Sequence, residues 1–540
     1  MPPRSRTLGD LLDEMATARP DADAVVCRDQ RFTYAALRAR AHELARALLA
    51  VGVRRGDRVA VLLANRPEWL IAAFAAAKVG AITVGISTFS TPREIAWTLD
   101  QARPAAIITA ETFRGHDYLA AIRNLVPELD RAAPTSTRSD RFPELRAVVC
   151  VDDRRHDGVY RLADLMARAT QVRESAVAAA QRAVAPDDAC YILYTSGSTA
   201  APKGVMLAHR GVIENGFAIG ARQHLGDSDR LWLAVPLFWS FGSANALPAI
   251  MTHGGAIVLQ ESFEPGEALA LMDDERCSVY YGMTNMARAM LEHPDRPRRR
   301  LAAMRTGLTI GLPDDIAMTI EAVAARELCN VYGSTETYGN CAVTDAHDSL
   351  ELRLTTQGAP LPGMAIRAVD PATSRSVPAG EVGEFRVKGY VTSGYYRDPE
   401  QTRGAFDADG YFMTGDFGLI GADGRVRFRG RLKEMIKTGG VNVAPLEVEG
   451  VLLTHPDVKQ AFVVGVPDRD KGELVVAAIE LHERATTSAE ALVAFCRESL
   501  ASYKVPARVV FRKAGEFPRT PTGKVQKPRL AEELARLVSG

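Results

Sequence analysis

The sequence predicts an α/β fold: a large N-terminal domain of layered, mostly parallel sheets with a β-rich subdomain, then a small α+β C-terminal domain. Three observations carry this. Helical and strand patterns alternate through the first half; from about Thr356 short strands punctuated by Gly and Pro replace them; and a smaller α/β pattern begins after "GRLKEMIKTGG". Alternation of this kind stacks helices on the faces of parallel sheets. At 540 residues the chain is too long for a single core, so two or three structural units are expected.

The elements come in order. "TYAALRARAHELARALLAVGV" carries apolar residues at helical spacing, and "DRVAVLL" is a short buried-strand run. "PEWLIAAFAAAKVGAITVGIS" reads as a helix, a stop at Gly80, then a strand. "AAIITA" and "LRAVVCV" predict further strands, whereas the polar, Pro-containing "DRAAPTSTRSDRFPE" predicts a loop. Beyond Thr356, "GAPLPGMAIRAVDPATSRSVPAGEVGEFRVKG" predicts tight turns between short strands. In the tail, "PLEVEGVLLTHP" and "SAEALVAFCRESLA" are helical, "VKQAFVVGVP" and "ELVVAAIEL" strand-like, and a loop, "FPRTPTGKVQK", leads to a last helix. The division is therefore residues 1–430, of which about 356–430 are the β-rich subdomain, and residues 431–540.

Composition narrows the function. Lys+Arg and Asp+Glu both number 66, so no overall positive field exists to bind nucleic acid or an anionic membrane. The basic run "RPRRR" at 296–300 reads as a solvated loop. The seven cysteines are scattered singly without a CxxC pair, which argues against a disulfide framework or a zinc site and for a reducing compartment. The N-terminus has no apolar signal core, and no uncharged apolar run reaches membrane-spanning length; a cytoplasmic enzyme is expected.

Chemistry enters with "YTSGSTAAPKGV", residues 194–205, behind the apolar run "CYILY". Thr195, Ser196, Ser198 and Thr199 supply hydroxyls, Gly197 and Gly204 allow close backbone approach, and Lys203 adds a positive charge. It is not a Walker A loop, because Lys203 precedes its glycine. Taken alone, it reads either as a phosphate grip or as an ordinary turn. Four more stretches stand in order behind it: "VYGSTETYG" (331–339), "YFMTGD" ending in Asp416, "GRLKEMIKTGG" from Gly430, and "RTPTGKVQK" with Lys524. In order and separation these resemble the adenylate-forming superfamily, in its acyl-CoA synthetase or acid–CoA ligase branch, over nearly the whole chain from "FTYAALRARA" to "GKVQKPRL".

The resemblance implies ATP, Mg²⁺ and coenzyme A as cofactors, and a role for each motif residue. Thr195, Ser196, Gly197, Ser198, Thr199 and Lys203 would hold the β- and γ-phosphates. Tyr332 would lie on the adenine, Thr335 meet the α-phosphate, Glu336 hold the magnesium ion, and Asp416 with Arg431 bind the ribose. Lys524 would bridge the reacting carboxylate and the α-phosphate. A mobile C-terminal domain would turn about Lys433, bringing Lys437, Gly439 and Gly440 beside the CoA arm. The chemistry agrees: a carboxylate attacking a polyanion needs positioning and charge neutralisation rather than a side-chain nucleophile. His209, in "MLAHRGV", is expected to be structural.

Three departures from the family pattern stand out. Ala200 replaces the usual glycine of the loop, Trp239 replaces a usual histidine in "VPLFWSFG", and "TGLTIGLP" puts Leu308 and Thr309 where small residues are the rule. Trp239, Met283, Leu308 and Tyr338 would then form an apolar pocket, implying a hydrophobic monocarboxylic acid, medium-chain, cyclic or aromatic. The partners expected are that small acid and CoA, with homodimerisation left open. One alternative loads a carrier-protein phosphopantetheine instead of CoA; a second, a non-catalytic nucleotide-binding relative, is disfavoured because binding alone has no need of Lys524.

Overall fold

The computed structural model describes residues 6–131, 133–136, 138–195, 202–438, 441–469, 471–520 and 523–538. Of the expected site residues, Ser196, Gly197, Ser198, Thr199, Gly439 and Gly440 lie outside these, as does Ala200. The chain forms two compact units. One holds the residues up to Ala365 together with Val387–Phe412; the other holds Ile366–Arg386 and the residues from Met413 onward. The expected β-rich stretch is thus shared between the two units. No described helix is long and apolar enough to cross a membrane.

The first unit contains two large sheets, as the alternation predicts. One runs Lys203–Ala208, Ala189–Thr195, Ile82–Gly85, Arg58–Leu62, Ala106–Thr109, Ala147–Cys150, Tyr160–Arg161, parallel throughout except for its first, antiparallel edge strand. Arg58–Leu62, Ala106–Thr109 and Ala147–Cys150 are buried at every position, because helices cover both faces of a parallel sheet. The helix Pro67–Val79 is buried nearly all round and stops at Gly80, whose φ of 71° is left-handed. Its one charged buried residue, Lys78, is satisfied by Asp13 at 2.7 Å and Gln181 at 3.2 Å.

The other sheet has nine strands. Its inner six, Glu327–Tyr332, Thr306–Thr309, Val279–Tyr281, Arg230–Leu233, Ala256–Leu259 and Asp23–Cys27, are parallel neighbours in that order. Parallel strands all end on one rim, and the loops leaving that rim are where such sheets carry ligands. The basic run at 296–300 has no buried residue and is exposed at Pro297, Arg298 and Arg300, in keeping with a solvated segment, but its first arginine has a structural task. Arg296 donates to the carbonyls of Glu321 and Ala322 at the end of the helix Pro313–Val323, so a cation caps unpaired carbonyls there.

The second unit holds the four-stranded sheet Ala365–Val369, Val382–Lys388, Phe412–Ile420, Val426–Arg431 and a five-stranded sheet built on the hairpin Val458–Asp468/Gly472–Leu481. One face of the latter packs on the helices Pro445–Leu453 and Ala489–Ser499. The other face meets Leu530 and Leu534 of the last helix, Lys527–Val538.

His209 proves structural. It opens the helix His209–Arg222, fully buried, and its Nδ1 accepts the Leu8 N–H at 3.1 Å, which leaves the proton on Nε2. Burial pushes the imidazole down to about 4, against the pull of Asp188 and Asp10. The folded value lies below the unfolded one, so this contribution is complete above about pH 6.5 and is lost as pH falls towards 4. The gap corresponds to about 3 kcal/mol. His209→Gln, which cannot charge, is therefore expected to flatten the fall in thermal midpoint between pH 7 and 5. Parallel profiles for the two proteins would take His209 out of the account.

Candidate active site

The first unit gathers most of the expected residues at strand ends. Tyr332 closes the strand Glu327–Tyr332, Leu308 sits near the end of Thr306–Thr309, Met283 lies two residues beyond Val279–Tyr281, and Trp239 six beyond Arg230–Leu233. These are four consecutive parallel strands, so the four residues line one rim. Leu308 is fully buried, level with Tyr281 and Cys329 on either side. Beside it Thr309 Oγ1 is buried without a partner among the described residues.

After Tyr332 the chain must turn sharply. A Cβ on Gly333 would lie 2.5 Å from the Gly339 oxygen and the Asn340 Cα, so only glycine lets the returning backbone pass. Ser334 then caps the single 3₁₀ turn Thr335–Thr337, its N–H held by Thr337 Oγ1 at 2.9 Å. That turn presents Thr335 and Glu336. Thr335 Oγ1 lies 3.1 Å from Ser240 Oγ, which ties this loop to the segment carrying Trp239. Trp239 is half-buried in an aromatic group with Phe89 (6.3 Å) and Phe238 (6.0 Å), just before a π-helical turn, Phe241–Ala246. Tyr338 stands apart from that group in its contacts. Its hydroxyl accepts the Ala208 N–H at 3.0 Å, and its ring fills the space a Cβ on Gly211 would need.

Thr195 and Lys203, from the stretch "YTSGSTAAPKGV", face each other where the strands Ala189–Thr195 and Lys203–Ala208 pair antiparallel. A residue that sequence reasoning missed joins Lys203 to Glu336. Tyr395 donates its hydroxyl to Glu336 Oε1 at 3.1 Å, and its ring lies under Lys203 Nζ at 5.1 Å. Residues 392–396 hold it there by running alongside Lys203–Ala208: Tyr396 N–H donates to Gly204 at 2.8 Å, Met206 N–H to Gly394 at 3.1 Å, and Thr392 Oγ1 to Met206 at 2.7 Å. Burial first, and then Glu336, push the Tyr395 phenol far up, so it remains a hydrogen-bond donor.

The second unit gathers the remainder. Asp416 and Arg431 are directly opposed across Phe412–Ile420 and Val426–Arg431, with Arg431 Nε 3.2 Å from Asp416 Oδ1. The Asp416 side chain is buried and that of Arg431 half exposed. Lys524 follows a turn at Gly523 whose backbone bonds to Thr520. Partial desolvation and the Arg431 charge hold its ammonium below the ordinary lysine range, while Glu434 and Asp416 act the other way. Asp416, Arg431 and Lys524 therefore share one electrostatic environment. Lys527, the first residue of the last helix, binds buried Glu449 at 2.7 Å and Glu434 at 3.6 Å, anchoring that end of the chain next to the 3₁₀ turn Leu432–Glu434 that contains Lys433. Lys437 lies in the strand Ile436–Thr438, its N–H bonded to Glu473 at 2.6 Å.

The opposite rim of the nine-stranded sheet is different in kind. A polar depression of about 520 Å³ lies at the strand starts, but its Arg31, Arg230 and Arg305 are engaged by Asp23, Glu275, Asp229 and Glu327. Its charges hold the sheet's base.

This architecture is that of solved adenylate-forming enzymes. The chain superposes on the anthranilate CoA ligase AuaEII in complex with anthranoyl-AMP with a TM-score of 0.85, at 25% identity and over 99% of this chain and 98% of that one. The chain belongs to the AMP-binding enzyme family: the AMP-binding enzyme model matches residues 12–396, and that of the AMP-binding enzyme C-terminal domain matches residues 447–524. It is 36% identical to YngI of Bacillus subtilis (strain 168), over 98% of this chain and 97% of that protein. It is 32% identical to the mitochondrial medium-chain acyl-CoA ligase ACSF2 of Danio rerio, over 99% and 89%. An enzyme of the ligase class, with ATP among its cofactors, is what the sequence led one to expect and what these relatives bear out.

Proposed function

We propose that the protein is an ATP-dependent acid–CoA ligase acting on a hydrophobic monocarboxylic acid. In the first half-reaction the acid's carboxylate oxygen bonds to the α-phosphorus of ATP and pyrophosphate leaves. In the second, a CoA thiolate attacks the acyl carbonyl and AMP leaves. One observation carries the reading: Tyr332, Thr335 and Glu336 emerge from one strand end, on the rim that also carries Trp239, Met283 and Leu308, so a nucleotide-type and an apolar lining adjoin.

In this reading the adenine lies on Tyr332, and Thr335 and Lys203 meet phosphate oxygens. The buried Asp416 carboxylate accepts the ribose hydroxyls, oriented by Arg431. The residues present suit a magnesium ion, because Glu336 is a carboxylate steadied through one oxygen by a neutral phenol, which is a hard oxygen ligand held in place. Such an ion supplies positive charge at the phosphates. Lys524 neutralises charge where acid and α-phosphate meet. Turning about Lys433 then withdraws Lys524 and brings the Lys437 segment beside CoA, which separates two half-reactions that need the same space.

Pyrophosphate release over a panel of carboxylic acids, followed by AMP release with and without CoA, tests the reading. Preference for medium-chain or aromatic acids with CoA-dependent turnover is expected; preference for acetate or an amino acid would overturn the substrate class. Turnover with a carrier-protein phosphopantetheine but not with CoA would overturn the acceptor. Trp239 is the residue expected to set the length limit. Trp239→Ala should favour the longer of two acids differing by two to four methylenes, shifting their kcat/KM ratio by about tenfold or more. An unchanged ratio would remove Trp239 from the pocket.

A further inference from the structure

Among the described residues, outside those assigned above, one cluster has the chemistry of a metal-binding site. His224 follows the helix His209–Arg222 and is held in a left-handed conformation, φ 50°. Its ring stacks on that of His347, centroids 3.9 Å apart and planes 15° from parallel, and its Nε2 lies 2.8 Å from Asp345 Oδ1. One nitrogen from each ring and one Asp345 oxygen all lie within 4.8 Å of one another. We propose that His224, Asp345 and His347 bind a divalent transition ion of the zinc type on the surface of the first unit.

The geometry and the donor set both favour this. Ligand bonds of about 2.0–2.2 Å in a tetrahedral arrangement put neighbouring donor atoms about 3.3 Å apart. The His224–Asp345 pair has to open by only about 0.5 Å to reach that spacing. The stacked rings must also turn out of parallel, because an ion lies in the plane of each imidazole that binds it; both histidines are exposed and Asp345 is partly so, so surface rotamers supply that turn. Two imidazoles with one carboxylate select a borderline ion over magnesium or calcium, which prefer all-oxygen sets. Three protein ligands leave a fourth position for water.

The surroundings also orient the ligands. The backbone N–H of His347 donates to Asp345 Oδ1 at 2.9 Å, and the Asp345 N–H to Asp348 Oδ2 at 3.0 Å. Arg305 holds the His224 carbonyl at 2.8 Å, and Ala346 N–H the Arg222 carbonyl at 2.8 Å. One group opposes cation binding: Arg222 Nη1 lies 4.0 Å from Asp345 Oδ2, and the nearby Asp348 carboxylate offsets it. An ion here would clamp the end of the helix His209–Arg222 to the loop after Ala342–Val343. It would thereby stabilise the unit through the loop that follows the strand Ala342–Val343.

The test uses the full chain after chelator treatment and desalting, without nucleotide. Zinc is titrated in competition with a fluorescent chelator, and cobalt absorption reports the ligand set. The wild type is expected to take up one ion more per chain than His347→Ala and to gain thermal stability with zinc. His347→Ala and the double variant with His224→Ala should bind at least about tenfold more weakly and lose the cobalt band. Among the described residues the exposed His347 ring makes no hydrogen bond to another side chain, so His347→Ala should match the wild type closely in thermal midpoint and AMP release in zinc-free buffer. Equal zinc uptake by wild type and both variants would overturn the proposal, leaving His224–Asp345 as an ion pair with a ring stacked upon it.

Discussion

Lys524→Ala is expected to cut pyrophosphate release by about 10²–10³-fold while leaving thioester formation from supplied acyl-adenylate within about twofold of wild type. The loss is large because two anions must meet at the α-phosphorus, and a cation placed there in a partly water-excluded site is worth far more than one in bulk solvent. Lys524 is suited to that task. Desolvation and Arg431 already hold its ammonium below the ordinary range, and its loop is anchored by the Thr520 backbone bonds and by Lys527 on Glu449. Sparing of the second half-reaction follows from the proposed turn about Lys433, which would remove Lys524 before the thiolate attacks. Lys524→Arg retains charge with a different shape and should recover part of the adenylation rate. Pyrophosphate and thioester assays read the two steps separately. Equal loss in both would contradict the two-pose reading, since a residue withdrawn from the site cannot serve its second reaction.

Much of this site was legible because parallel sheets concentrate function at strand ends. The run "CYILY" announces a buried strand that leads into a loop of hydroxyls and glycine, so Thr195 could be placed from the chain alone, while Thr335 and Glu336 were expected from the resemblance that "VYGSTETYG" carries. Tyr395 could not. It stands in "TSGYYRDPE", a stretch that looks like one more Gly-punctuated turn, and its role arises only when residues 392–396 run beside Lys203–Ala208. No local period encodes a pairing between segments so far apart in sequence. The same reason hid Arg296, whose acceptors lie at the end of a helix formed later in the chain. His224 and His347 likewise have no spacing motif to betray them. Tyr338, expected in the pocket from its motif position, accepts the Ala208 N–H with its hydroxyl and lays its ring against Gly211, contacts that its motif did not announce.

Glu336 gives the second large effect. Glu336→Gln keeps the size of the side chain and can still accept the Tyr395 hydroxyl through its amide oxygen, so the loop Thr335–Thr337 should fold as before. The substitution removes one negative charge. If that charge serves to hold magnesium, pyrophosphate release should fall by about 10²-fold or more, and the magnesium concentration for half-maximal rate should rise. Tyr395→Phe separates this from mere positioning. It deletes one hydrogen bond to a charged acceptor, a loss of about 1.5 kcal/mol or roughly tenfold in rate, and leaves the carboxylate and the ring beneath Lys203 in place. The ordering therefore discriminates. A larger loss for Glu336→Gln with an altered magnesium dependence marks the carboxylate as an ion ligand. Equal losses with unaltered magnesium dependence would mean that Glu336 acts only by orienting Tyr395, and through its ring Lys203, so that the charge at the phosphates must come from elsewhere.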